Sequence, residues 1–145
     1  MNSDISKNGM QLLFASLVLI VLISSLHIYA GEKYLYFLYW WFDIVMHFLG
    51  GVWVGVTFLW LYFFSRFFGQ QAFQKGKVFK VAIISFVIVG LSWEIFEVFI
   101  GVPIYEPNYI FDTVSDLIVG TLGVLVFCKY FIFKFLKREW ARVLS

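Results

Sequence analysis

The chain has 145 residues, 62% of them hydrophobic, 23% aromatic and only 14% charged, with a net charge of +2. Soluble domains run at about 45–50% apolar and about 25% charged, so a soluble fold, a disordered chain and a nucleic-acid-binding module are all excluded. The single Cys128 excludes an internal disulfide framework.

A mean hydropathy of +0.89 leaves more apolar surface than so short a chain can hide, which makes lipid the solvent for much of it. A spanning helix needs about 20 largely apolar residues to cross a hydrocarbon core of about 30 Å. The first such stretch is residues 11–31, uncharged from Leu12 to Ala30. It reads as a span and not as a cleaved signal, since only Lys7 supplies positive charge before it and no small-x-small cleavage site follows. Next comes Tyr34-Leu35-Tyr36-Phe37-Leu38-Tyr39-Trp40-Trp41-Phe42, too aromatic for an ordinary loop. Tyr and Trp favour the headgroup level, so this segment is expected to lie along the interface.

The second span covers residues 43–65 and holds Asp43 and His47. A basic connection with Arg66, Lys75, Lys77 and Lys80 leads to the third span, residues 80–101, which from Val81 to Gly101 is apolar apart from Glu94 and Glu97 near its far end. Pro103 and Pro107 are expected to keep the following connection non-helical. The fourth span, residues 112–133, opens with Asp112 and Asp116 and ends near Lys129. The tail from Lys129 to Ser145 mixes basic residues with Phe, Leu and Trp140, and reads as an amphipathic end on an anionic leaflet. The expected fold is therefore all-α: a four-transmembrane-helix bundle in one domain over residues 1–145.

Orientation follows from the basic residues, which concentrate in cytoplasmic loops. Of eleven Lys and Arg, all but Lys33 fall before the first span, between spans two and three, or at the end of span four. The expectation is a multi-pass cell-membrane protein with both termini cytoplasmic.

Charges inside a span are penalised by about 2.5–3.5 kcal/mol each at the helix centre, so their placement is informative. Asp43 and His47 are four apart, Glu94 and Glu97 three apart, and Asp112 and Asp116 four apart. Each pair shares a helix face. All three pairs lie near the outer end of their helices, and five carboxylates at one depth need protons, a basic partner or a cation. A divalent metal is the economical answer, and oxygen donors with an imidazole suit Mg, Mn, Ca or Zn. The expected ligands are Asp43, His47, Glu94, Glu97, Asp112 and Asp116, with Glu94, Glu97 and Asp116 innermost and Asp43 and Asp112 at the rim. The catalytic roles fall to His47, Glu94, Glu97 and Asp116.

Blander readings stand beside these. Asp43 and Asp112 suit helix capping, and His47 alone suits a structural histidine. His27 near the end of span one has no sequence partner. Gly51, Gly55, Gly120 and Gly123 suit close helix packing.

The order Asp43-Ile-Val-Met-His47-Phe-Leu-Gly-Gly, Trp93-Glu94-Ile-Phe-Glu97 and Phe111-Asp112-Thr-Val-Ser-Asp116-Leu-Ile-Val-Gly-Thr-Leu-Gly123 resembles the VanZ-like group of small bacterial membrane proteins. It resembles the YjdF-like inner-membrane family more closely. Asp112 and Asp116 are spaced differently from the closing VanZ motif, and Gly120 stands where that motif has Asn. The resemblance implies a polar site on a small membrane bundle and carries no activity with it.

Three functions fit these residues. One is a metal-dependent enzyme acting on a lipid or cell-envelope substrate. Another is a non-catalytic ion or proton site, and the third is a structural or accessory protein locked by its polar cluster. No Gly-x-Ser-x-Gly or His-Glu-x-x-His is present, so serine and zincin chemistry have no support. The expected partners are membrane lipids and a lipid-linked substrate, with no nucleic acid; a homo-oligomer is compatible with the chain.

Overall fold

The computed structural model describes residues 2–69, 71–101 and 108–136. Helix α1 runs Asn2–Lys33, the single turn α2 covers Leu35–Leu38, and α3 spans Trp40–Phe63. Helix α4 runs Lys75–Ile100 and α5 Tyr109–Phe131, continued by a π-helical turn at Ile132–Leu136. No strand occurs among the described residues. Four segments are long and apolar enough to cross a membrane: Lys7–Lys33, Trp40–Phe63, Lys75–Ile100 and Tyr109–Phe135.

The helices outrun the stretches read from hydropathy. Helix α4 begins at Lys75, before residue 80, because a helix continues into the headgroup region where lysine stems lie along apolar surface and carry their charges to water. The connection at residues 102–107 and the tail at 137–145 lie outside the described residues, so the proline-rich loop and most of the amphipathic end do too.

Two local breaks shape the end of the bundle away from the basic connection. Tyr34 adopts a left-handed conformation (φ 55°) and ends α1. Tyr39 is extended, so the chain turns again before α3. Between them the aromatic turn leaves Phe37 and Trp40 at least 80% exposed, as a segment at a lipid interface requires. Gly101 (φ 85°) ends α4, with its N–H on the Glu97 and Val98 carbonyls.

Helix α3 is central, packed against α1, α4 and α5, and its contact with α5 is the most extensive. That contact is made by glycines. A Cβ on Gly51 would collide with the Gly120 carbonyl oxygen, and one on Gly123 with the Phe48 carbonyl oxygen. Gly55 faces the Phe127 ring. Small residues thus let the two backbones touch, the usual device where lipid removes the hydrophobic drive between helices. Helix α1 is tied to α3 by a Ser16 Oγ–Thr57 Oγ1 hydrogen bond of 2.7 Å.

The core is densest toward the basic end of the bundle. Leu59, Val78, Ala82, Val124, Cys128 and Phe131 are fully buried there, and Phe63, Phe64, Phe73 and Phe135 pack around Phe131 with tilted or edge-on rings. The opposite end has only a small satellite of Ala30, Phe42 and Met46. The loosely packed end is where the ionisable residues lie.

Candidate functional site

Asp43 and His47 sit in the first two turns of α3, four residues apart and on one face. His47 Nε2 lies 3.4 Å from Asp43 Oδ1 and 3.5 Å from Asp116 Oδ2 on α5. One ligand-type atom from each of the three falls within 4.8 Å of the others. Asp116 is buried (5% exposed), whereas Asp43 and His47 open partly to the outside.

The glycine contact explains why these three meet. With α3 and α5 in backbone contact at Gly51, Gly120 and Gly123, even the short Asp side chains of the next turn outward converge. Helix α4 is held further off by side chains, since Phe86 packs on Gly120 and Gly90 meets Leu117. The group within 4.8 Å is Asp43, His47 and Asp116, and of the residues expected innermost Asp116 and Glu94 are buried and Glu97 is half-buried. Asp43 joins that cluster while remaining the most exposed of its three members.

Glu94 nonetheless faces the site. It is 7% exposed, and the fields of His47, Asp112 and Asp43 act on it. Its Oε2 is buried with no hydrogen-bond partner. The Thr113 hydroxyl bears on the same carboxylate without reaching hydrogen-bond geometry, and is likewise buried and unpartnered. Glu97 lies further out, where the Trp93 indole N–H donates to its Oε1 at 2.9 Å. It too interacts electrostatically with Glu94, His47 and Asp43. Asp112 lies in the first turn of α5, where the helix dipole favours its charge. Neither Asp112 nor Asp43 caps: the N-cap positions are Asn108 and Tyr39, and neither makes a side-chain cap bond.

His27 takes no place in the cluster. Its Nδ1 shares a 2.8 Å hydrogen bond with the Tyr36 hydroxyl, and its ring meets Trp93 edge-on. Burial, with the Asp43 and Glu97 carboxylates nearby, pushes the Tyr36 phenol up to about 12, so it keeps its proton. Trp93, Tyr36 and Thr113 thus surround the site without having been expected there. Trp93 stands four before Glu97 and Thr113 three before Asp116, spacings that put each on the face of a candidate ligand.

The two distances from His47 Nε2, 3.4 and 3.5 Å, are close to the separation of two ligands on one ion. Two donors about 2.1 Å from a tetrahedral centre stand about 3.4 Å apart, beyond the 2.7–3.2 Å or so of a direct N–H···O bond. The donor set of one imidazole and two carboxylates, with a third carboxylate close by, suits a hard or borderline divalent cation.

No curated protein and no solved structure matches this chain. Residues 6–137, nearly its whole length, match the family described as "Predicted membrane protein (DUF2238)". The chain, a four-helix membrane bundle with a carboxylate–histidine cluster at one end, belongs to that family.

Proposed function

We propose that Asp43, His47 and Asp116 bind a divalent cation near the outer membrane surface, and that the protein uses it on a lipid or cell-envelope substrate. The observation that carries this reading is the position of His47 Nε2, 3.4 and 3.5 Å from two carboxylate oxygens on different helices. The basic bias of the opposite end supports the outward placement, with both termini in the cytoplasm. The likeness of these motifs to VanZ-like and YjdF-like proteins supports the same residues.

A divalent ion there would polarise a phosphoryl or acyl oxygen, or lower the pKa of bound water. The chain's own residues supply the rest. Glu94, buried and unpartnered, serves as a further ligand or as the proton acceptor, because desolvation makes an unpaired carboxylate seek either a cation or a proton. Glu97, Asp112 and the Tyr36–His27 pair rim the opening from the lipid interface, where a headgroup would enter.

Elemental analysis tests the reading on purified full-length protein equilibrated with Zn, Mn, Mg and Ca at neutral pH. One ion per chain is expected, lost in His47→Ala and in Asp116→Asn with helical content unchanged. Wild-type protein without stoichiometric metal overturns it.

A second reading rests on where His47 stands. It bridges α3 to α5 beside their glycine contact, at distances compatible with pairing to both aspartates. A non-catalytic cluster that locks the bundle, or holds an ion or proton, follows if the metal is absent.

A further inference from the structure

We propose that a cleft between α3 and α4, at the basic end of the bundle, binds one anionic phospholipid. Its phosphate sits at Lys77 and Lys80, and an acyl chain runs along Phe58, Leu61, Val81 and Ile84. The cleft has a volume of about 460 Å³. Its walls are Phe58, Leu61 and Tyr62 of α3 and Val81, Ile84 and Ser85 of α4, with Phe68 at the mouth.

Charge complementarity selects the occupant. Lys77 and Lys80 are three apart and share a helix face, and among the described residues no acidic side chain lines the cleft. Neither lysine has an ion-pair partner among the described residues, where the ion pairs are those of His47. The first turn of α4 carries no acidic residue either, so the positive end of its dipole adds to the two ammonium groups. An anion is the ligand that complements this charge.

Shape selects a lipid over free phosphate. From Lys77 to Ile84 the wall runs about 10 Å along the helix, roughly the outer third of a hydrocarbon core of about 30 Å. Phosphate alone would leave that apolar wall uncovered. Hydrogen bonds tie two of the lining residues together: the Tyr62 hydroxyl donates to Gln71 Oε1 at 3.2 Å, and Gln71 Nε2 donates to the Phe68 carbonyl at 2.7 Å. Phe58 lies three turns along α3 from His47, about 16 Å away. The cleft is therefore separate from the Asp43–His47–Asp116 cluster and independent of any metal there.

Native mass spectrometry of the delipidated full chain in mild detergent tests this, with dioleoylphosphatidylglycerol, dioleoylphosphatidylcholine and sodium phosphate as probes. Phosphatidylglycerol is expected to form one saturable adduct, far tighter than phosphatidylcholine, and phosphate is expected not to displace it. The double variant Lys77→Gln/Lys80→Gln is expected to weaken it about 30-fold, the equivalent of about 2 kcal/mol at about 1 kcal/mol per basic residue. Ile84→Trp fills the cleft with both lysines retained and is expected to abolish the adduct. Lys75→Gln, an exposed lysine outside the cleft, is expected to leave it intact. Equal binding of phosphatidylcholine, displacement by phosphate, or an adduct that survives Ile84→Trp overturns the proposal.

Discussion

Glu94 is the residue whose surroundings ask most of it. A carboxyl oxygen buried without a partner loses the desolvation energy of that group, about 1–3 kcal/mol. Glu94→Met keeps the volume and removes the orphan oxygen. In chelator-treated protein it is expected to raise the thermal midpoint in detergent, and to reduce the further rise on adding metal. A fall in the chelated midpoint would mean that the carboxyl is satisfied by a group other than a cation. Tyr36 makes a second, pH-linked case. Its phenol is raised to about 12 from 10.0, so its contribution is whole below pH 10 and is lost as pH rises through 12. At neutral pH, Tyr36→Phe is expected to be less stable by about 1 kcal/mol through loss of the His27 hydrogen bond. That deficit should shrink between pH 10 and 12 in denaturation measurements; a constant gap sinks the assignment.

At the scale of elements, the α3–α5 seam decides the geometry. Gly51 has no room for a methyl group, because the Gly120 backbone occupies the space, whereas adjacent Gly50 meets nothing within 4 Å. Gly51→Ala is expected to destabilise by about 1–3 kcal/mol, as overpacking does. Gly50→Ala is expected to be neutral or stabilising by up to about 1 kcal/mol, since Ala is the better helix former. Because the seam draws Asp116 toward His47, Gly51→Ala should also weaken metal binding while Gly50→Ala should not. Isothermal titration of the two variants separates them, and equal affinities would detach the site from the seam.

For the whole molecule, the two ends differ in kind. One is an aromatic, densely packed end with lysines at its edge; the other is looser and holds the acidic residues. Topology follows from the basic bias, so Ala72→Cys and Asn108→Cys are expected to react with a membrane-impermeant thiol reagent from opposite sides. In intact cells Asn108→Cys labels and Ala72→Cys does not. Native Cys128 is fully buried and stays silent. Labelling at position 72 from outside would invert the bundle and place the acidic cluster in the cytoplasm.

The sequence by itself determined the four spans, because crossing lipid imposes a length and an apolar content that residues 11–31, 43–65, 80–101 and 112–133 each display. It also determined which faces carry paired carboxylates, because spacings of three and four are a property of the helix alone. Helix ends were less legible, since hydropathy marks where charges begin and α4 continues past that point to Lys75. The composition of the cluster was decided only by tertiary structure. Of the six ionisable residues paired at helical spacing, Asp43, His47 and Asp116 offer ligand atoms within 4.8 Å of one another. Spacing along a chain does not encode how closely two helices approach. That distance was set by Gly51, Gly120 and Gly123 between α3 and α5, and by Phe86 and Leu117 holding α4 away.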